Sequence, residues 1–127
     1  VAINSAINLD LTGQINADTQ VGPRIWNGLG GMPEFVIGAT LSKGGRSITM
    51  LPSTAARGTV SRIVPMLDQG ACVTIPRYLA DYVVTEYGYT RLWGKPLRQR
   101  ALDLIAIAHP DFRAELMKEA RKMFWSA

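Results

Sequence analysis

Backbone groups in a glycine-rich segment are the first candidates for chemistry in this sequence. Residues 28–31 contain Gly28, Gly30 and Gly31, and glycines in such a turn leave backbone N–H groups accessible. N–H groups arranged in this way can hold an anion or a developing oxyanion. Taken alone, the pattern is also typical of an ordinary turn between two elements.

Two charged side chains are the other candidates. Glu86 directly follows an apolar strand pattern, Tyr82–Thr85, and precedes Gly88. α/β proteins commonly place their chemistry at the C-terminal ends of strands, so this carboxylate could take part in a reaction, with a surface salt bridge as the alternative. Arg62 lies beside another strand pattern and could bind phosphate or carboxylate, although arginine at such a position is more often solvated surface.

Several common classes of site are not expected. The chain has one histidine, His109, and one cysteine, Cys72, which are too few and too far apart for a zinc site or an internal disulfide. Phosphate-loop and serine-elbow motifs are missing from the sequence, and residues 28–33 depart from a dinucleotide fingerprint at Pro33. His109 precedes a proline that could open a helix, so we expect it to cap or pack rather than catalyse.

The charge and the hydropathy of the sequence argue against nucleic acid and membrane as partners. The net charge is +4, but the basic residues are dispersed, and the densest group straddles a turn and a helix start (Arg91, Lys95, Arg98 and Arg100). Nucleic-acid domains concentrate such charge on one face, so no nucleic-acid partner is expected. No apolar run approaches the roughly 20 residues of a membrane span, and no signal peptide opens the chain, so we expect a cytoplasmic protein without a membrane partner. The missing initiator methionine suggests a piece of a longer protein.

The surrounding pattern predicts an α/β fold in one domain, since 127 residues suit a single core. Alternating or β-branched stretches predict strands over residues 1–11, 14–17, 46–51, 59–66, 72–75 and 81–85. Prolines that can occupy a first turn predict helices opening at Pro33, Pro96 and Pro110. We expect the last two helices to cover one face of the sheet.

Eight blocks of the sequence carry a family resemblance, and they follow one another over nearly the whole chain. They are residues 4–7, 10–17, 30–31 with Phe35, 51–55, 61–65, 82–88, 100–101 and 107–113. In this order they resemble the acetyl-CoA hydrolase/transferase family, and among its members the 4-hydroxybutyrate CoA-transferases. Asn8 and residues 32–34 depart from the family pattern, which bears on the specificity for the acyl group.

The resemblance implies that residues 1–127 are the C-terminal domain of a two-domain class I CoA-transferase, with an open, three-layered mixed sheet and helices. Such enzymes form a glutamyl-CoA thioester and then pass CoA to a second carboxylate. The nucleophilic glutamate would lie in the segment before this chain. The implied partners are therefore the enzyme's own N-terminal domain, an acyl-CoA and a small carboxylate, with a homodimer left open. CoA thioester would be a substrate, with no permanently bound cofactor and no metal.

The resemblance also assigns site residues. It implies that the Gly31 amide, or that of Gly30, contributes to the oxyanion hole, and that Glu86 lies at the active-site entrance. Gly28, Gly30, Met32 and Arg62 would contact CoA or substrate. Because a carboxylate there repels a free acid, we expect Glu86 to have a raised pKa or a basic neighbour. The alternative is a binding or assembly module that keeps the fold without the chemistry.

Overall fold

The computed structural model describes residues 1–28 and 30–125 as a mixed α/β domain. Its three helices are α1 (Met32–Leu41), α2 (Leu97–Ile107) and α3 (Pro110–Phe124), and a short 3-10 turn spans Arg77–Leu79. Its strands are β1 (Ala2–Ser5), β2 (Asn8–Asp10), β3 (Ile15–Asn16), β4 (Thr19–Gln20), β5 (Arg24–Ile25), β6 (Ser47–Met50), β7 (Thr54–Ala55), β8 (Val60–Ser61), β9 (Ile63–Val64), β10 (Tyr82–Thr85) and β11 (Gly88–Arg91).

The main sheet has four strands in the order β1-β6-β10-β11. β6 runs parallel to both β1 and β10, whereas β11 is antiparallel to β10. Ser5 pairs with Met50, and Met50 pairs with Val84, so three parallel strands end side by side. The carboxyl edge of this sheet therefore collects the residues that follow β1, β6 and β10.

The two faces of the main sheet differ in their burial. One face carries buried residues such as Ala2, Thr49 and Val83, and the hydrophobic core lies on this side. α1 packs on β1 and β6, α2 packs on β11, and α3 packs on α2. The opposite face is largely solvent-exposed, with Ile3 60% and Tyr89 71% exposed. The expected mixed α/β class is confirmed, and the described helices lie on the buried face of this sheet.

A second sheet and two hairpins complete the described part of the domain. β2 pairs antiparallel with β3 and parallel with β9, while β4–β5 and β7–β8 form separate antiparallel pairs. Asp10, fully buried at the end of β2, accepts hydrogen bonds from the backbone N–H groups of Thr12 and Gln14 and from both their side chains. This carboxylate fixes the tight turn that leads to β3.

Arg100 ties that turn to the helical layer. The residue is only 6% exposed, and its guanidinium donates to the carbonyl oxygens of Thr12 (3.1 Å), Arg77 (2.5 Å) and Lys95 (3.1 Å). Burial, and then the nearby charge of Arg77, lower the pKa of Arg100. One side chain thus joins three segments that are distant in sequence.

The predicted helices are confirmed, but three predicted strands differ from the structure. Residues 1–11 form β1 and β2 in two different sheets, and residues 59–66 divide into β8 and β9 around Arg62. Residues 72–75 form no strand; Ile75 makes one bridge to Ile15, while Cys72 and Thr74 direct their side chains to Asp18. Side-chain hydrogen bonds there replace the expected sheet ladder. No helix in residues 1–28 and 30–125 is long and apolar enough to cross a membrane.

Candidate active site

The glycine-rich segment opens a cleft of about 310 Å³ between α1 and the carboxyl end of β1. Pro33 in the first turn starts α1, and Glu34 in that turn suits the positive end of the helix dipole. Because α1 leads into β6, its first turn lies beside the strand ends. The cleft is lined by Asn4, Ser5, Ala17, Asp18, Asn27, Gly28, Gly30, Gly31, Met32, Pro33 and Thr74. Four predicted site residues, Gly28, Gly30, Gly31 and Met32, therefore share one cleft.

Gly31 is the residue at which the turn becomes a helix. It is the N-cap of α1, with φ −92° and ψ 6°, and no side chain caps the helix there. Neither the Gly30 nor the Gly31 N–H donates a hydrogen bond to another residue of the described structure. Pro33 has no N–H to offer. The free N–H groups at this end of α1 are thus available to a ligand oxygen.

Asn4 is a cleft residue that the sequence analysis did not select. Its Nδ2 atom is buried and has no hydrogen-bond partner among the residues described. An unsatisfied buried donor costs about 1–3 kcal/mol, so the Asn4 amide is suited to donate to an oxygen atom that enters the cleft. The available signal in the sequence was a polar residue at the end of an apolar strand.

Asp18 forms the opposite wall of the cleft. Its Oδ2 atom accepts hydrogen bonds from the Thr74 hydroxyl (2.7 Å) and the Cys72 thiol (3.3 Å). Burial, and then the hydrogen bond to Asp18, raise the pKa of Cys72. A thiol held in its protonated form is a poor nucleophile, so Cys72 is not suited to covalent catalysis.

Glu86 lies at the same edge of the main sheet, in the two-residue turn between β10 and β11. Its Oε1 atom accepts a hydrogen bond of 2.7 Å from the backbone N–H of Ser53. Glu86 borders a second cleft, of about 410 Å³, together with Ser5, Met50, Leu51, Pro52, Val84 and Thr85. Ser5 lines both clefts, so the two clefts adjoin at the carboxyl end of β1.

The expectation of a raised pKa for Glu86 is wrong. Burial acts to raise the pKa of this carboxyl, but hydrogen bonds from the backbone N–H groups of Glu86 and Ser53, together with His109, hold it below its usual value. Burial is the largest single influence on this pKa, but the hydrogen bonds and His109 together outweigh it. The expected basic neighbour is present as His109, and Glu86 remains ionised at neutral pH.

Arg62 occupies a different part of the domain. Its Nε and Nη1 atoms donate to the carbonyl oxygens of Thr54 (3.2 Å) and Ile7 (2.9 Å). It borders a third cleft, of about 440 Å³, near the tips of the β4–β5 and β7–β8 hairpins. Arg62 lines neither the glycine cleft nor the cleft beside Glu86. Its backbone N–H nevertheless donates to the carbonyl oxygen of Ser53 (2.9 Å), the residue whose own N–H binds Glu86. The contact of Arg62 with CoA stays a prediction. Among the described residues, no group of three or more His, Cys, Asp or Glu side chains is placed to hold a metal ion.

Comparison with known proteins gives consistent results. The model of the acetyl-CoA hydrolase/transferase C-terminal domain matches residues 1–120. A 4-hydroxybutyrate coenzyme A transferase of Clostridium kluyveri is 53% identical over 98% of this chain and 29% of its own length. RipA of Yersinia pestis is 47% identical, with a TM-score of 0.81 over 95% of this chain and 25% of that one. A 4-hydroxybutyrate CoA-transferase of Porphyromonas gingivalis is 48% identical, with a TM-score of 0.73 over 96% of this chain and 26% of that one.

The chain thus spans between a quarter and a third of the length of these relatives. The family match covers most of the elements described above, including the glycine turn, Asn4 and the Glu86 turn. The chain belongs to the acetyl-CoA hydrolase/transferase family and corresponds to its C-terminal domain.

Proposed function

We propose that the full-length protein containing this chain is a CoA-transferase that moves CoA from an acyl-CoA to a small carboxylic acid. In this proposal a glutamate outside the chain, in an N-terminal domain, attacks the acyl-CoA carbonyl, giving a mixed anhydride and free CoA thiolate. The thiolate then attacks the glutamyl carbonyl of the anhydride, which forms the glutamyl-CoA thioester and releases the donor acid. The second acid then takes the CoA and releases the glutamate. CoA thioester is a substrate, and no cofactor stays bound.

The observation that carries the proposal is that the glycine turn and Glu86 border two adjoining clefts, both lined by Ser5, at the carboxyl edge of one sheet. Each transfer step passes through a tetrahedral oxyanion, and unpaired N–H groups at a helix start are suited to stabilise it. The Gly31 N–H is our candidate donor, with Gly30 beside it and Asn4 near by. Gly28 and Met32 line the same cleft and are assigned to substrate contact. Glu86 is assigned to orienting the missing glutamate or the incoming acid.

Trapping the covalent intermediate tests this function directly. The full-length protein, incubated with an acyl-CoA and no acceptor acid, is expected to yield a glutamyl thioester that hydroxylamine converts to a hydroxamate. Peptide mapping should place the hydroxamate N-terminal to residue 1. Absence of both transfer and trapping in the folded protein would support a binding or assembly module instead.

The isolated chain is expected to fold without catalysing CoA transfer, because the proposed nucleophile lies outside it. Residues 1–127 mixed with an acyl-CoA and acetate should give no turnover and no hydroxamate. The full-length protein in the same assay is the positive control. Rapid CoA exchange by the isolated chain would place the nucleophile within these residues and contradict the assignment.

Glu86→Gln in the full-length protein is expected to reduce kcat at least tenfold, or by about 1.4 kcal/mol of barrier. The amide retains the size of the side chain but changes its charge and its hydrogen bonding beside the reacting group. Since Glu86 is exposed, its replacement should leave the melting temperature nearly unchanged. Steady-state kinetics and thermal unfolding measure the two effects.

Glu115 on α3 provides a matched control, because it is an exposed glutamate outside the clefts that hold the candidate residues. Glu115→Gln should leave both kcat and the melting temperature at wild-type values. If Glu86→Gln lowers the melting temperature but not the activity per folded molecule, Glu86 is a structural partner of Ser53. If it changes neither, Glu86 is a surface turn residue.

A further inference from the structure

The turn that carries Glu86 is held by a hydrogen bond and by ring contacts to the junction between α2 and α3. The Thr85 hydroxyl donates a hydrogen bond of 2.6 Å to the carbonyl oxygen of Ile107, the last residue of α2. The same hydroxyl accepts a hydrogen bond of 3.1 Å from the Tyr87 N–H. One side chain therefore ties both neighbours of Glu86 to the end of α2.

Tyr87 makes the second attachment through its ring. The His109 imidazole meets this ring edge-on, with centroids 5.5 Å apart and planes at 83°. The Arg113 guanidinium lies 5.6 Å from the centroid of the same ring. Arg113 is itself held by a hydrogen bond of 3.0 Å from its Nε atom to the carbonyl oxygen of Ala108. Both contacts on Tyr87 thus come from the α2–α3 junction.

His109 is held in place by the start of α3. It is the N-cap residue, and its Nδ1 atom accepts a hydrogen bond of 3.1 Å from the Asp111 N–H. The Phe112 ring packs against the imidazole with centroids 6.1 Å apart. The ring that supports Tyr87 therefore has little rotational freedom.

We propose that His109 is a positioning residue for Glu86: its ring contact with Tyr87 fixes the two-residue turn and so the direction of the Glu86 carboxylate. The inference rests on the proposed catalytic role of Glu86 and adds the residue that orients it. His109 does not reach the reacting atoms in this scheme. Its positioning effect passes through Tyr87, in addition to its electrostatic influence on the Glu86 pKa, while its capping hydrogen bond secures α3.

Two substitutions separate the ring contact from the capping bond. His109→Asn retains a side chain that caps helices well but has no aromatic ring. His109→Phe retains a ring against Tyr87 but cannot accept from the Asp111 N–H. In the full-length protein, His109→Asn is expected to lower kcat about two- to tenfold with a melting temperature near that of the wild type. His109→Phe should lose stability and keep most of its kcat per folded molecule.

Two further measurements show whether the effect passes through Glu86. Combining His109→Asn with Glu86→Gln should lower kcat no further than Glu86→Gln alone, because residues acting through one group are not additive. Amide hydrogen exchange at residues 85–88 should be faster in His109→Asn than in the wild type. The exchange measurement does not depend on catalysis.

Two results would overturn the inference. One is wild-type exchange at residues 85–88 together with wild-type kcat in His109→Asn. The other is an equal loss of kcat from His109→Asn whether residue 86 is glutamate or glutamine. Full activity of Glu86→Gln is a different result: it contradicts the proposed function of Glu86, and the exchange measurement then still decides whether His109 orders the turn.

Discussion

Replacing Gly31 by valine in the full-length protein is expected to lower kcat by about 10²–10³-fold, the usual loss when one oxyanion-hole donor is removed. The branched side chain would stand beside the Gly31 N–H and obstruct the approach of a substrate oxygen. The backbone itself tolerates the change, because φ at Gly31 is −92°. An added Cβ would lie 3.2 Å from the ring of Phe35, which is 64% exposed and can move aside.

Gly38 offers the matched control for this substitution. It lies on the same helix, is exposed, and an added Cβ would meet no other atom within 4 Å. Gly38→Val should therefore leave kcat unchanged. Steady-state kinetics with thermal unfolding on both variants gives the comparison. A Gly31→Val protein with near-normal kcat would remove Gly31 from the site and shift attention to Gly30.

Arg100→Met is expected to have the largest effect on stability, lowering the free energy of unfolding by about 3 kcal/mol. Methionine fills much of the space that the Arg100 side chain occupies. It cannot donate a hydrogen bond, however, so the carbonyl oxygens of Thr12, Arg77 and Lys95 lose their donor. Unpaired buried acceptors cost more than the hydrogen bonds contribute when made. For a domain of this size we expect the melting temperature to fall by about 10 °C.

Arg98 supplies the control on the same helix. It is exposed, donates to the carbonyl oxygen of Phe124, and lies over the Trp125 ring. Arg98→Met should cost well under 1 kcal/mol, since such exposed contacts contribute little. Chemical denaturation of both variants measures the difference. Equal stabilities for the two would mean that the three-way contact of Arg100 is dispensable.

The sequence predicted where the three helices begin and where the strand before Glu86 lies. Pro33, Pro96 and Pro110 marked the starts of helices, because proline fits a first turn and disrupts a helix interior. The β-branched run Tyr82–Thr85 marked the strand that ends at Glu86. Both features depend on the conformational preferences of residues that are adjacent in the sequence, so the sequence alone is sufficient to predict them.

The sequence did not predict features that depend on distant partners. Nothing in residues 1–11 shows that the chain changes sheet after Ser5, since both halves alternate in the same way. The side chains of Cys72 and Thr74 donate hydrogen bonds to Asp18, and residues 72–75 form no strand. Asp18 precedes both residues by more than 50 positions in the sequence, so a local pattern does not show this contact. Asn4 was missed for the same reason: its importance follows from a missing partner, which only the packed structure reveals.

Some of the residues that carried the family resemblance make hydrogen bonds that stabilise the fold. Asp10 and Arg100 satisfy backbone groups around the turn at residues 12–14, away from the glycine cleft. Arg62 likewise bonds two carbonyl oxygens of its own chain. A resemblance built on these blocks identifies the domain securely, whereas the catalytic assignments depend on the few residues at the sheet edge.

The turn that holds Glu86 also limits how this domain can diversify during evolution. Thr85 pairs directly with Gly88, so only two residues connect β10 and β11. Because side chains alternate between the faces of a strand, one inserted or deleted residue would shift the register and redirect the carboxylate. The connection between β5 (Arg24–Ile25) and α1 (Met32–Leu41) is longer, so it can change in length and composition at less cost. We therefore expect new acid preferences in this family to arise by variation there, while the Glu86 turn keeps a constant length.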